Sequence, residues 1–131
     1  MVGHLKATKA FLKLYPTWSC VAMDAVGNSG GLLMRWNPQV GVFEASPLGY
    51  GILLEGFVFG LTHSVSLLNV YGPYKDRVQF WTGAQEAGLL RLDSLILGAD
   101  LNFTLNAREV WGTKASLDSQ ADFFQNQFEK A

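Results

Sequence analysis

Asp100 and Asn102 are the residues of this 131-residue chain whose types and spacing best suit chemistry. They follow a short apolar run, Ser94-Leu95-Ile96-Leu97-Gly98, that reads as a strand. If extended backbone continues past that run, positions i and i+2 face the same side. A carboxylate and a carboxamide then project together from a strand end. The carboxylate can take a proton from water, and the amide can orient that water or donate to a phosphate oxygen. Asp and Asn also close strand ends by bonding their own backbone, and such turns outnumber catalytic uses. Tyr71 ends a second apolar run, within Asn69-Val70-Tyr71-Gly72-Pro73. Its phenol can donate to a phosphate oxygen, or it can simply pack under the Gly-Pro turn.

Other signals have plainer readings beside the chemical one. Arg77 and Lys75 follow the Tyr-Gly-Pro turn. A guanidinium suits phosphate, but a charge that opens a helix needs no ligand. Trp36, Trp81 and Trp111 can stack on bases, and a packed core uses the same rings. A single cysteine, Cys20, excludes an internal disulfide and a Cys-rich zinc site. Placed mid-strand, it reads as a small apolar residue, and an intracellular, reducing compartment fits. Gly27 to Gly31 lacks Gly-Lys-Ser/Thr and joins strand to strand, so it is not a phosphate-cradling loop. His4 and His63, the two histidines, read as solvated side chains on a helix and in a turn.

The elements that must position these residues follow from periodicity. Leu5, Thr8, Leu12 and Tyr15 predict a helix over 4–15, ended by Pro16. Trp18 to Ala25 and Leu32 to Trp36 predict a hairpin around Gly27-Asn28-Ser29-Gly30-Gly31. Strands follow at 40–45, 52–59 and 64–71, the last of largely continuous apolar character, the mark of a buried strand. Helical spacing returns over 76–92, with Phe80, Ala84, Ala87 and Leu90 on one side, although Gly83 and Gly88 interrupt it. The strand 94–98 reads as buried. A polar loop of about a dozen residues follows Asn102, a usual place for function. Leu117, Ala121, Phe124 and Phe128 predict a last helix, capped by Ser116 or Asp118. The expected class is α+β, a mixed sheet with helices outside it.

Composition narrows the field further. Hydrophobic residues make up 49% and charged residues 16%, which excludes a disordered chain. The low charge points to strands buried on both faces, or to a piece of a larger core. A net charge of -1 gives no bulk attraction to nucleic acid. Arg35 and Glu55 cut the longest apolar stretches, so no membrane span is expected. The lysines of the N-terminal segment leave no apolar run for a secretory signal.

Three motifs together resemble a known family. Gly98-Ala99-Asp100-Leu101-Asn102 is similar to the Gly-Gly-Asp-Phe-Asn motif of endonuclease/exonuclease/phosphatase domains. Asn69-Val70-Tyr71-Gly72-Pro73 resembles their Asn-Val-Tyr-x-Pro strand, and Ser29-Gly30-Gly31-Leu32-Leu33 their Ser-Gly-Gly hairpin. The likeness is greatest to the endonuclease of plant LINE-type (non-LTR) retrotransposons. There Val26 to Pro38, Tyr71 to Trp81, Asp100 to Leu105 and Glu109 to Gly112 have counterparts. The resemblance implies a four-layer α/β/β/α sandwich, two packed sheets flanked by helices. It implies Mg²⁺-dependent hydrolysis of DNA phosphodiesters, with the cation as Lewis acid. It gives Asp100 the attacking water, and it gives Asn102 and Tyr71 the scissile phosphate. It places the protein inside the cell, in the nucleus if the parent retroelement is active.

The departures from that pattern shape the expectation. The family's Gln-Glu-Thr segment, whose glutamate binds the metal, has no counterpart, and none of Glu44, Glu55, Glu86, Glu109 or Glu129 lies in a matching context. Its terminal Ser-Asp-His motif is also missing. Residues 1–131 are thus expected to form one partial domain, with weak or absent Mg²⁺ binding and impaired activity. A non-catalytic remnant or interaction module is the alternative, and a phosphatase for small phosphoesters a further one. An incomplete core also predicts exposed apolar surface and self-association.

Overall fold

The computed structural model describes residues 4–24, 31–109 and 118–129. It is an α+β structure, with two sheets and three α-helices among those residues. The turn at Gly27 to Gly30, together with Trp111, Ser116 and Leu117, lies outside the described residues. The chain divides into two compact units. One draws on Met1–Tyr71 and Asp93–Ala99, the other on Gly72–Leu92 and Asp100–Ala131.

The first unit starts with α1, His4–Leu14. Pro16 stops it: the Tyr15 amide still reaches the Phe11 carbonyl at 2.9 Å, and Trp18 then turns back onto Tyr15. Strands β1 (Ser19–Met23) and β2 (Leu32–Trp36) pair antiparallel, with Ser19 opposite Trp36 and Met23 opposite Leu32. β1 is shorter than the expected 18–25. The half-buried Cys20 sits within it as a free thiol. Arg35 binds this hairpin to α1. Its guanidinium lies over the rings of Phe11, Tyr15 and Trp18 at 5.0–5.4 Å and donates to the Tyr15 carbonyl.

The second sheet has the order β3-β4-β5-β6. Its strands are β3 (Gly41–Pro47), β4 (Gly51–Val58), β5 (Val65–Tyr71) and β6 (Leu95–Asp100). β3, β4 and β5 pair antiparallel. Pro47 is tolerated because β3 is an edge strand. β5 is the expected buried strand: Val65, Ser66, Leu68 and Val70 are all buried. The β1–β2 hairpin lies against β4 and β5, and Trp36 meets Phe43 edge-on. His63 is exposed in a bend.

β6 corrects an expectation. It is not buried: Leu95 and Leu97 are half-buried, while Ile96 is 61% exposed. The cause is its place at the sheet edge, where an apolar run gains a neighbour on one side only.

In the second unit α2 covers Arg77–Glu86 and not 76–92. Gly88 adopts φ +76, which ends the helix as glycine commonly does, and a 3-10 turn follows at Leu89–Arg91. The buried face is therefore Trp81 and Ala84, with Leu90 buried from the turn; Phe80 is half-buried and Ala87 exposed. α3, Ala121–Glu129, buries Ala121 and Phe124 and half-buries Phe128, the expected stripe. Asp118 serves its start, accepting the Gln120 amide at 2.9 Å. The core of this unit is aromatic. Phe103 stacks on Phe124 at 4.0 Å, and Trp81 stands edge-on to Phe103 and Phe128.

Candidate functional site

Asp100 is the last residue of β6 and is exposed. The extended backbone does not continue to Asn102, which has φ +52. Asn is one of the few residue types that accept this left-handed conformation. The i, i+2 alignment of carboxylate and carboxamide is therefore lost. Asp100 instead accepts the backbone amide of Asn102 on its carboxylate at 3.3 Å. This is the local turn that Asp and Asn favour at strand ends.

The side chain of Asn102 reaches in another direction. Its amide nitrogen donates to the Gly72 carbonyl. The Gly72 amide in turn donates to the Asp100 carbonyl at 2.8 Å. The two segments singled out by their motifs thus meet backbone to backbone, at the glycine that follows Tyr71 in the chain. Gly72 is required by this approach. A Cβ there would stand 2.7 Å from the Leu101 carbonyl oxygen and 2.8 Å from that of Asp100. Tyr71 is the final, half-buried residue of β5.

Arg77, read from sequence as an ordinary helix-opening charge, fixes the loop from its other side. Its guanidinium donates to the Asn102 carbonyl at 2.8 Å and clasps the Asp118 carboxylate at 2.5 and 3.0 Å. It also lies over the Phe124 ring, 5.4 Å from the centroid. Phe103, the next residue after Asn102, is anchored in the aromatic core. Arg77 and Phe103 are positioning residues that motif reading passed over. Both lie close to the motif residues in sequence, Arg77 after the Tyr71-Gly72-Pro73 turn and Phe103 next to Asn102. Lys75 is exposed. A polar groove of about 450 Å³, lined by Tyr74, Asp76, Gln79 and Gln120, borders Arg77 at the start of α2.

Of the other glutamates, one has a clear structural use. Glu109 accepts the Leu105 amide and the Asn106 side chain, pinning 105–109. Glu44 and Glu55 stand opposite each other on β3 and β4. Among the described residues, no three His, Cys, Asp or Glu side chains gather as a metal site.

The Arg77 hydrogen bonds hold the Asp118 carboxyl below its usual pKa of 3.8, against a smaller opposing effect of burial. The Gln120 and Thr104 amides add to the lowering. A carboxyl whose pKa is lower folded than unfolded stabilises the fold above the unfolded value, and that stabilisation fades as pH falls through the folded value. Urea unfolding at pH 6 and pH 3, roughly the limits set by the usual carboxyl range, checks this. Wild type should exceed Asp118→Asn in stability at the higher pH, and the difference should shrink at the lower.

No protein-family model matches the chain, and no curated protein matches it. Among the described residues, no helix is long and apolar enough to cross a membrane.

Proposed function

We infer that this chain derives from a phosphodiester-cleaving domain of the endonuclease/exonuclease/phosphatase type, of retrotransposon origin, and keeps part of its site. The four-layer sandwich, DNA as the substrate and Mg²⁺ as the cofactor belong to the same proposal. The observation that carries it is the Gly72–Asp100 backbone bond. It joins the two segments that the motifs single out. In the proposed chemistry the Asp100 carboxylate receives the proton of the attacking water. Asn102 keeps one side-chain N–H beyond the bond to Gly72, which can donate to the phosphate; the resemblance gives Tyr71 a share in that role.

The described residues offer Mg²⁺ an incomplete set of ligands, enough for weak binding only. That ion requires near-octahedral oxygen ligation, and Asp100 supplies one carboxylate with an oxygen already engaged by Asn102. Cleavage by the chain alone is expected to be weak or absent. A second reading has its own support. Asp100 and Asn102 both use their side chains in a turn, which suits a non-catalytic interaction module.

Mg²⁺ titration followed by NMR at the Asp100 and Asn102 amides, paired with plasmid nicking, separates the two. The hydrolase-derived site predicts a saturable shift that disappears in Asp100→Ala, with little nicking. A linear drift, equal in wild type and variant, would leave only the interaction module.

A further inference from the structure

The outer face of the β3–β4 ribbon is a ladder of exposed pairs. Val42 faces Phe57 in register, and Glu44 faces Glu55 two residues on. The pattern extends past the strands, where the Phe59 amide bonds the Val40 carbonyl. Val40, Val42, Phe57 and Phe59 are all between 53% and 62% exposed. Farther across the sheet on the same face, Ser66, Leu68 and Val70 of β5 are buried. The open part is thus an apolar strip ending in two like charges directly opposite one another. Such a pairing is destabilising in a sheet unless a cation lies between.

Helix α1 has the complementary character. It contains Lys6, Lys9 and Lys13 and no acidic residue. Lys9 and Lys13 are one turn apart and exposed, and Leu12 and the 69%-exposed Leu14 border them. This helix cannot serve its own chain's strip. Arg35 holds it on the β1–β2 hairpin, and that hairpin packs against β4 and β5 from the Phe43 side, opposite the strip.

We propose that α1 of one copy docks on the outer β3–β4 face of a second copy, Lys9 and Lys13 between Glu44 and Glu55 and Leu12 on Val42 and Phe57. Each copy carries both halves of the contact, so two copies can exchange helices or further copies can add in series. The proposal does not depend on the hydrolase reading.

Sedimentation equilibrium over a range of protein and salt concentrations tests it. Wild type should associate with concentration, and less so in high salt. Glu44→Lys with Glu55→Lys should weaken association by roughly tenfold or more, as should Lys9→Glu with Lys13→Glu. An equimolar mixture of the two reversed proteins should recover it, because each supplies the half the other has inverted. Circular dichroism confirms that both remain folded, and the mixture guards against a variant that is merely damaged. Wild type that stays monomeric would overturn the proposal. So would association that both reversals leave unchanged, or a mixture no stronger than its components.

Discussion

Arg77→Leu should lower the stability of the protein by about 3 kcal/mol. The side chains of Arg77 and Asp118 are only 18% and 13% exposed. Leucine replaces much of the apolar volume over Phe124 but supplies no donor. The Asp118 carboxylate and the Asn102 carbonyl are then left without the guanidinium. Removing one member of a buried ion pair costs about 3–5 kcal/mol, because the other charge stays desolvated. The partial exposure of this pair places the effect at the lower end. Arg77→Lys keeps the charge but not the two-pronged grip on Asp118, and should cost about 1–2 kcal/mol. The double variant Arg77→Leu with Asp118→Leu should recover only part of the loss: no orphaned charge remains, but the Gln120 amide at the start of α3 loses its acceptor. Urea titration of wild type, the two Leu single variants at Arg77 and Asp118, and the double variant completes the cycle. If Arg77→Leu loses under about 1 kcal/mol, the pair behaves as a surface bridge and the loop is held by other contacts.

How far such a linchpin can be read from sequence depends on the range of the interactions involved. Strands β1 to β5 were legible because each follows from its own composition and bounding turns. β5 could be placed in the interior because apolar residues occupy both of its faces. β6 has the same local character, yet it lies at an edge and exposes Ile96. Which strand stands outermost is a property of the whole sheet, and no window of residues contains it. α2 failed for a local reason. Gly88 breaks the helical phase, so the spacing that joins Phe80 to Ala87 and Leu90 runs through a helix that has already ended.

The candidate site shows the same division. Asp100, Asn102 and the Tyr71-Gly72 segment were identifiable by residue type and motif. Their geometry was not, because the i, i+2 argument requires extended backbone and Asn102 is left-handed. The partners that impose this conformation are Gly72, 30 positions away, and Arg77, 25 positions away. Arg77 itself depends on Asp118, a further 41 positions along the chain. An arginine near a helix start looks the same in sequence whether it is solvated or clasped. Only the fold brings a carboxylate, a carbonyl and a phenyl ring to it.

Gly72→Ala tests whether the meeting of the two motif segments is rigid. The added methyl carbon would stand 2.7 and 2.8 Å from two backbone oxygens and 3.0 Å from the Leu101 carbonyl carbon. No rotamer change relieves contacts with backbone atoms, so residues 100–102 must move. Their movement stretches the Gly72–Asp100 bond and the link from the Asn102 side chain to the Gly72 carbonyl. The expected loss is about 2–4 kcal/mol, the range for overpacking combined with broken buried hydrogen bonds. Gly83→Ala is the matching control, because Gly83 lies inside α2 with nothing within 4 Å of its Cβ position. Alanine there should raise stability by about 0.5–1 kcal/mol. Opposite signs from the same substitution would isolate the steric requirement at Gly72 from any general effect of glycine on the unfolded chain. Amide shifts in the Gly72 variant should spread through Asp100, Leu101, Asn102 and Phe103, with β3 and β4 unchanged. Were the variant as stable as wild type, with those shifts unmoved, the glycine would not be what holds the loop, and the hydrolase reading would lose the contact that carries it.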